Sequence, residues 1–286
     1  MDLRDIVVLL NGSARDDIAL NVAARLARRN DAHLTGLCPL EPQVPGDVPF
    51  ALGGYSDLWT LPDIAARIDR QTGGNAASIQ ERFRVLLARE GIRGDWWTTT
   101  GSPMPAILRR TQATDLVVAG QTDPDTPSPD MPRNLAEDVL MGAGRPLLLI
   151  PYAGRFETIG TNVLVGWTPT REAARALHDA IPLFAPGAKI TVLTIGTSAT
   201  PSGLAPPLPT DIVRHLTRHG LDAVAARTVI TDGLRPSDAL LDYAADLGSD
   251  LLVTGGYGHS RTREMVMGGV TRDLLRHMTL PVLMSH

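Results

Sequence analysis

With 286 residues, of which 43% are hydrophobic, the chain is long enough to bury the core of one large domain or of two ordinary ones. Its 27 Lys and Arg residues are outnumbered by 31 Asp and Glu residues, and the net charge of -4 argues against binding to nucleic acid or to a membrane surface. No apolar stretch reaches the ~18 residues of a membrane span, the N-terminus lacks the features of a signal peptide, and Cys38 is the single cysteine. We therefore predict a soluble, cytoplasmic protein.

Short apolar runs alternate with amphipathic ones through the first half. The strand-like runs are IVVLL (6–10), HLTGLC (33–38), DWWTTT (95–100), DLVVAG (115–120) and PLLLI (146–150). Helical patterns lie between them: RDDIALNVAARLARR (15–29), a stretch from ARIDRQ to ASIQERFRVLLARE, PAILRRTQA (105–113) and NLAEDVLMGAG (134–144). We expect Gly73 and Gly74 to interrupt the second helix, and residues 39–60, rich in Pro and Gly, to form a long loop. This alternation is typical of a five-stranded parallel sheet with helices on both faces.

The same order recurs in the second half, from NVLVG (162–166) to PVLM (281–284). Residues 115–150 align with residues 250–285 without a gap, and the alignment matches Asp115 with Asp250, Gly120 with Gly255, Asp138 with Asp273, Leu140 with Leu275, Pro146 with Pro281 and Leu148 with Leu283. We predict two similar α/β domains, 1–153 and 160–286, linked by PYAGRFETIGT (151–161). Since an exposed sheet edge seeks a partner, the final apolar strands are expected to join the domains or to form a homodimer.

A glycine-rich stretch, GGYGHSRTREMVMGGVT (255–271), follows the buried strand that begins at Asp250. Ligands of open parallel sheets bind outside the carboxyl ends of the strands, and glycine loops that lead into a helix N-terminus bind anions. The stretch therefore predicts a phosphate site. In this interpretation Gly255 and Gly258 allow close backbone approach, Gly268 and Gly269 clear the helix start, and His259 lies nearby. The expected donors are the N–H groups of Gly269, Val270 and Thr271 and the Thr271 hydroxyl.

These residues resemble the nucleotide motif of the universal stress protein family: G-x-x-G, nine residues, a further glycine, and then Gly269, Val270 and Thr271. VLVGWTPTREAARAL, DLLVTGGYGHS and the closing PVLMSH are also similar to that family. The resemblance covers both halves. It implies two tandem Rossmann-like (adenine nucleotide alpha hydrolase-like) domains and a stress-response protein that binds ATP or a similar adenine nucleotide in the C-terminal domain as a sensor.

The sequence departs from the family pattern at two places. Gly269 replaces a residue whose hydroxyl the family uses on the outer phosphates. Asn11 and Thr168 stand where the family often has an Asp near the ribose and adenine, so we expect Thr168 to lie at that end of the site. Both changes predict weaker binding than in a complete motif.

The first half has lost the glycine motif. Asp123 aligns with Gly258, Arg133 with Gly268 and Asn134 with Gly269, and the intervening loop contains three aspartates and four prolines. Carboxylates repel phosphate, and prolines remove backbone donors. The first domain is therefore predicted to be a structural partner of the second.

Two alternative functions remain open at this point. One is a slow ATP hydrolase or phosphotransferase, with Mg²⁺ bound mainly through the phosphates, and the other is an interaction protein without nucleotide. The sequence contains no GxSxG, HExxH or GxxxxGK[ST] motif, so we predict no catalytic residue, with His259 as the one exception to test. His215 and His219 have the i, i+4 spacing of metal ligands, but no third ligand is evident, and we predict no metal site.

Overall fold

The computed structural model describes residues 2–10, 15–40, 62–100, 103–122, 135–197, 207–230, 233–257 and 269–286. Its strands are β1 (Asp5–Leu9), β2 (His33–Leu40), β3 (Gly94–Thr100), β4 (Leu116–Gly120), β5 (Leu147–Ile150), β6 (Asn162–Gly166), β7 (Lys189–Thr197), β8 (Asp222–Ile230), β9 (Leu251–Gly255) and β10 (Val282–Ser285). Its helices are α1 (Asp16–Asn30), α2 (Pro62–Glu90), α3 (Pro103–Thr111), α4 (Leu135–Gly142), α5 (Arg171–Ala180), α6 (Thr210–Arg218), α7 (Pro236–Asp246) and α8 (Gly269–His277). A 3₁₀ turn, Ile181–Leu183, extends α5.

The ten strands form one sheet in the order β3-β2-β1-β4-β5-β10-β9-β6-β7-β8. Strands within each half are parallel, and the halves meet where β5 pairs antiparallel with β10. Leu149, Leu148 and Leu147 lie opposite Val282, Leu283 and Met284. The predicted α/β class and five parallel strands per half are confirmed, and the final strands join the halves as expected.

The sequence repeat is also a repeat of strand register. Ile6 lies beside Leu116 in the first half, and Val163 lies beside Leu251 in the second. Since residues 116 and 251 are equivalent in the gapless alignment, the two central strand pairs have the same register.

Helices cover both faces of the sheet. Ile6 and Val8 of β1 belong to one buried core, and Val7 and Leu9 belong to the other. The first core includes residues of α1, α2 and α5, and the second includes residues of α3, α4, α7 and α8. This explains why the strands are apolar at consecutive positions rather than at alternate ones.

The α2 helix differs from its prediction. Its backbone is helical through Gly73 and Gly74, so the predicted interruption is wrong. Ala76, Ile79 and Phe83 further along α2 are buried at helical spacing, and this packing outweighs the weak helix propensity of glycine. The predicted loop at 39–60 begins later than expected, because β2 extends to Leu40, and residues 41–60 lie outside the described residues. None of the helices described is both long and apolar enough to span a bilayer.

The aspartates that precede β4 and β9 tie these strands to their central neighbours. Asp250 Oδ1 accepts hydrogen bonds from the backbone N–H groups of Gly160, Thr161 and Asn162, each at 3.0 Å. Asp115 Oδ2 accepts from Arg4 and Asp5 at 2.7 and 3.0 Å. The two equivalent carboxylates therefore fix the starts of β6 and β1.

We expect Asp250→Asn to lower the free energy of unfolding by about 1–3 kcal/mol, because a neutral amide loses charge-assisted hydrogen bonds. Asp115→Asn should cost less, since fewer N–H groups depend on that carboxylate. Guanidinium denaturation followed by circular dichroism measures both. An unchanged midpoint for Asp250→Asn would contradict this account.

Candidate functional site

The candidate site lies at the carboxyl edge of β6 and β9. These neighbouring strands pair Gly166 with Thr254, so Thr168 and Gly255 follow at the same edge. Gly269, Val270 and Thr271 form the first turn of α8, and the Tyr257 N–H donates to the Thr271 hydroxyl oxygen at 3.2 Å. The structure thus brings five predicted site residues to one region, whereas Gly258, His259 and Gly268 lie outside the described residues.

Gly255 has a packing reason to be glycine. A Cβ at this position would lie 2.6 Å from the Ala173 backbone nitrogen and 2.8 Å from the Glu172 carbonyl carbon. The N-terminal turn of α5 therefore abuts the end of β9 directly. The sequence pattern predicted that Gly255 allows close ligand approach, but the helix contact accounts for this glycine without a ligand.

The start of the loop is held in place by its neighbours. Gly256 lies against Leu140 of α4, where an added Cβ would come within 2.6 Å of a Leu140 methyl carbon. Tyr257 has a φ of 53°, an uncommon conformation for a residue with a side chain. Its N–H bond to Thr271, which is only 6% exposed, stabilises this turn. The Thr271 oxygen, predicted as a donor to an anion, accepts from the loop and keeps one hydrogen for donation.

Gly269 differs from Gly255 because an added Cβ would meet no described atom within 4 Å. As far as the described residues are concerned, the space beside the N-terminus of α8 is therefore open at this residue. The N–H groups of the first helical turn have no intrahelical acceptor and carry the positive end of the helix dipole. Gly269, Val270 and Thr271 can thus offer backbone donors to an anion.

The N-terminus of α5 is already occupied by a carboxylate. Thr170 caps it by accepting from the Ala173 N–H at 3.3 Å, and Glu172 is buried with Arg171 bound to its carboxylate. Burial alone would raise the pKa of Glu172, but hydrogen bonds from Arg171 and the Glu172 backbone outweigh it and lower the pKa below its usual range. Since Glu172 stays ionised, it repels an anion at α5 and leaves α8 as the favourable helix end.

Two arginines at α8 are paired with carboxylates. Arg272 lies 3.5 Å from Glu137 of α4, and Arg235 lies 3.2 Å from Asp273. Burial, followed by the negative charge of Glu137, raises the pKa of Tyr257 to about 12, so this hydroxyl remains protonated at neutral pH. Among the described residues, the anion-binding capacity of this edge therefore depends mainly on the backbone of α8.

Residues 161–286 match the universal stress protein family. The second half is a universal stress protein domain. A universal stress protein from Synechocystis sp. is 44% identical over 46 residues, and the match spans 16% of this chain and 16% of that protein.

Two solved structures share the fold over nearly the whole chain. A universal stress protein from Archaeoglobus fulgidus DSM 4304 has a TM-score of 0.69 at 13% identity, covering 98% of this chain and 95% of its own. A functionally unknown protein from Pseudomonas aeruginosa PAO1 has a TM-score of 0.56 at 17% identity, covering 98% and 92%. The Rossmann-like architecture of the universal stress protein domain therefore extends to the first half of the chain.

Sequence reasoning missed the first-half residues that support the universal stress protein domain. Glu137 and Leu140 of α4 contact the region around Tyr257 and Gly256. The Gln121 amide donates to the Leu275 carbonyl of α8 at 2.9 Å. The gapless alignment could have drawn attention to Gln121, because it is the residue equivalent to Gly256. Its contact with α8 could not be predicted, because it depends on the joining of the two halves of the sheet.

A histidine cluster lies apart from this site. His215 and His219 of the α6 region are joined by His178 of α5, with ring centroids 5.1 Å apart for His178–His215 and 4.7 Å for His215–His219. Burial, then His219, His178 and Arg218, lower the pKa of His215. In the part of the chain described here, no group of three His, Cys, Asp or Glu residues is arranged to hold a metal ion.

The two described glycines of the motif give a matched pair of substitutions. Gly255→Ala should lower the free energy of unfolding by about 1–3 kcal/mol, because the new methyl group collides with the α5 backbone. Gly269→Ala should change it by no more than about 0.5 kcal/mol, because the methyl group meets no described atom within 4 Å. Urea denaturation curves test both, and equal destabilisation of the two variants would refute the distinction.

Proposed function

We propose that this chain is a stress-response protein that binds an adenine nucleotide, ATP or a close relative, in its C-terminal half and acts as a sensor or regulatory module. We further propose that 1–153 and 160–286 are its two domains. The observation that carries the proposal is the N-terminal turn of α8 at the carboxyl edge of β9, where an added Cβ at Gly269 would meet no described atom within 4 Å. Membership of the second half in the universal stress protein family supports the same conclusion.

The residues fit a phosphate group. Gly269, Val270 and Thr271 form the first turn of a helix, where backbone N–H groups bind anions, and no described atom would lie within 4 Å of a Cβ added at Gly269. Gly258, Gly268 and His259 would complete the cradle, and Thr168 would lie toward the ribose. Mg²⁺, where present, would bind through the nucleotide phosphates.

The first half supports this site but does not form a second nucleotide site of its own. Gln121 is buried, donates to Leu275 of α8 and accepts from the Tyr152 N–H at 3.3 Å. Its side chain is thus committed to joining the halves at the position equivalent to Gly256. This favours one nucleotide per chain.

Gly258→Asp should abolish nucleotide binding, because it places the first-half residue, with its negative charge, among the phosphates. Isothermal titration with ATP, ADP and AMP measures the effect. Asp123→Gly is the matched control and should create no new site, since Arg133 and Asn134 remain. Gly269→Ser should tighten ATP binding by restoring the family hydroxyl in open space. Equal affinity in wild type and Gly258→Asp would show that the loop is not the site.

We expect little or no ATP turnover. Backbone donors hold ground-state phosphate, and binding that does not improve in the transition state does not accelerate a reaction. Phosphate release is measured at saturating ATP and Mg²⁺ in wild type and His259→Ala. Several turnovers per minute that vanish in His259→Ala, with ATP affinity preserved, would establish an ATP hydrolase instead.

A further inference from the structure

A cavity lies between the C-terminal half of α1 and the connection that leads into β6. Its volume is about 440 Å³, within the range of about 300–1,000 Å³ usual for small-molecule sites. Arg25, Arg28 and Arg29 line one side, and Thr158 and Thr161 of the connection lie opposite. We call this space the arginine cavity.

The arginine cavity carries an excess of positive charge. Its lining contains three arginines, Arg25, Arg28 and Arg29, and a single carboxylate residue, Glu157. Arg28 is paired with Glu90 outside the lining at 2.6 Å. Within the described residues, neither Arg25 nor Arg29 has a carboxylate in ion-pair range.

Backbone carbonyls hold the other two arginines in position. Arg25 donates to the Phe156 carbonyl, and Arg29 donates to the carbonyls of Ile159 and Leu183 at 3.0 and 2.6 Å. Carbonyl groups orient a guanidinium without neutralising it. Burial lowers the pKa of both arginines, which agrees with charge that is incompletely compensated.

We propose that the arginine cavity binds the phosphate groups of a small molecule that carries at least two negative charges. A guanidinium has five N–H donors, so Arg25 and Arg29 retain donors beyond those bound to carbonyls. Planar guanidinium groups match phosphate oxygens in pairs, and the Thr158 and Thr161 hydroxyls supply further hydrogen bonds. The volume suits a pyrophosphate-sized or larger ligand rather than a single orthophosphate.

This site is separate from the proposed nucleotide loop. Thr161 immediately precedes β6, and Asp250, whose charge acts on Arg29, precedes β9. The nucleotide loop follows Gly255 at the other end of β9, about 13 Å away for a strand of this length. The proposal therefore stands whether or not the loop binds ATP.

The arginine cavity also bridges the two halves. Helix α1 belongs to the first half, whereas Thr161 and Ala185 belong to the second. A bound phosphate would add charge-assisted hydrogen bonds across this junction and should stabilise the native chain.

Pyrophosphate is the probe, titrated calorimetrically at about 0.15 M KCl so that loose surface attraction is screened. The Gly258→Asp variant is the starting protein, because it silences the nucleotide loop. We expect saturable binding and a higher thermal midpoint with pyrophosphate. Arg25→Gln and Arg28→Gln should each weaken binding about tenfold or more, as expected when one charged phosphate contact is lost.

Arg218→Gln removes an exposed charge outside the cavity and should leave affinity unchanged. Arg25→Lys keeps the charge but not the planar fork, so it should bind between wild type and Arg25→Gln. Circular dichroism verifies that each variant is folded. In the native fold Arg28 is bound to the Glu90 side chain, whereas Arg25 is bound to a backbone carbonyl. If Arg25→Gln unfolds, the affinity of Arg28→Gln for pyrophosphate therefore decides the matter. Three results would overturn the proposal. The first is no binding at millimolar pyrophosphate, and the second is binding that occurs in the wild type but not in Gly258→Asp. The third is that Arg218→Gln weakens pyrophosphate binding as much as Arg25→Gln and Arg28→Gln do.

Discussion

The antiparallel contact between β5 and β10 holds the two halves of the sheet together. Three leucines of β5 lie opposite three apolar residues of β10, and all six are buried. Because these final strands satisfy each other's hydrogen-bonding edges, the sheet continues across the joint. In the described sheet the two outer strands are β3 and β8, so a homodimer built like the intramolecular joint would use one of these edges instead.

This joint makes the first half part of the candidate site. It brings α4 against the loop after β9, so that Leu140 packs at Gly256 and Glu137 lies near Tyr257. The equivalent position in the first half, Gln121, has become a bridge to α8. Duplication of one fold has thus led to unequal halves, in which one forms the loop and the other supports it.

Much of the fold follows from sequence pattern. The apolar runs predicted the parallel strands, and the gapless repeat predicted two similar halves, which share their central strand register. Trp96 and Trp97 are adjacent in β3 and therefore point to opposite faces. Trp96 packs on Phe83, whereas Trp97 is 48% exposed with the Arg110 guanidinium stacked on it.

Tertiary contacts account for what the pattern did not predict. The local sequence does not indicate that α5 approaches Gly255. It also does not indicate that the connection before β6 lines the arginine cavity beside α1. On a helical pattern, Arg25 and Arg29 are typical of a solvated face. Of the candidate site, the sequence predicted the location and the α8 donors, and these remain predictions, as do Gly258, His259 and Gly268.

The contact between Gly255 and α5 has a mechanical consequence. Backbone meets backbone at this contact, with no side chain between them. A displacement of the end of β9 would therefore move the helix backbone itself, because no side chain can relieve the contact by changing its rotamer. The same helix continues through the 3₁₀ turn to Leu183, whose carbonyl accepts from Arg29, about 18 Å away along the axis. Helix α5 and its extension therefore connect the end of β9, which leads into the proposed nucleotide loop, with the carbonyl that positions Arg29, so a rigid-body shift of α5 would move both contacts.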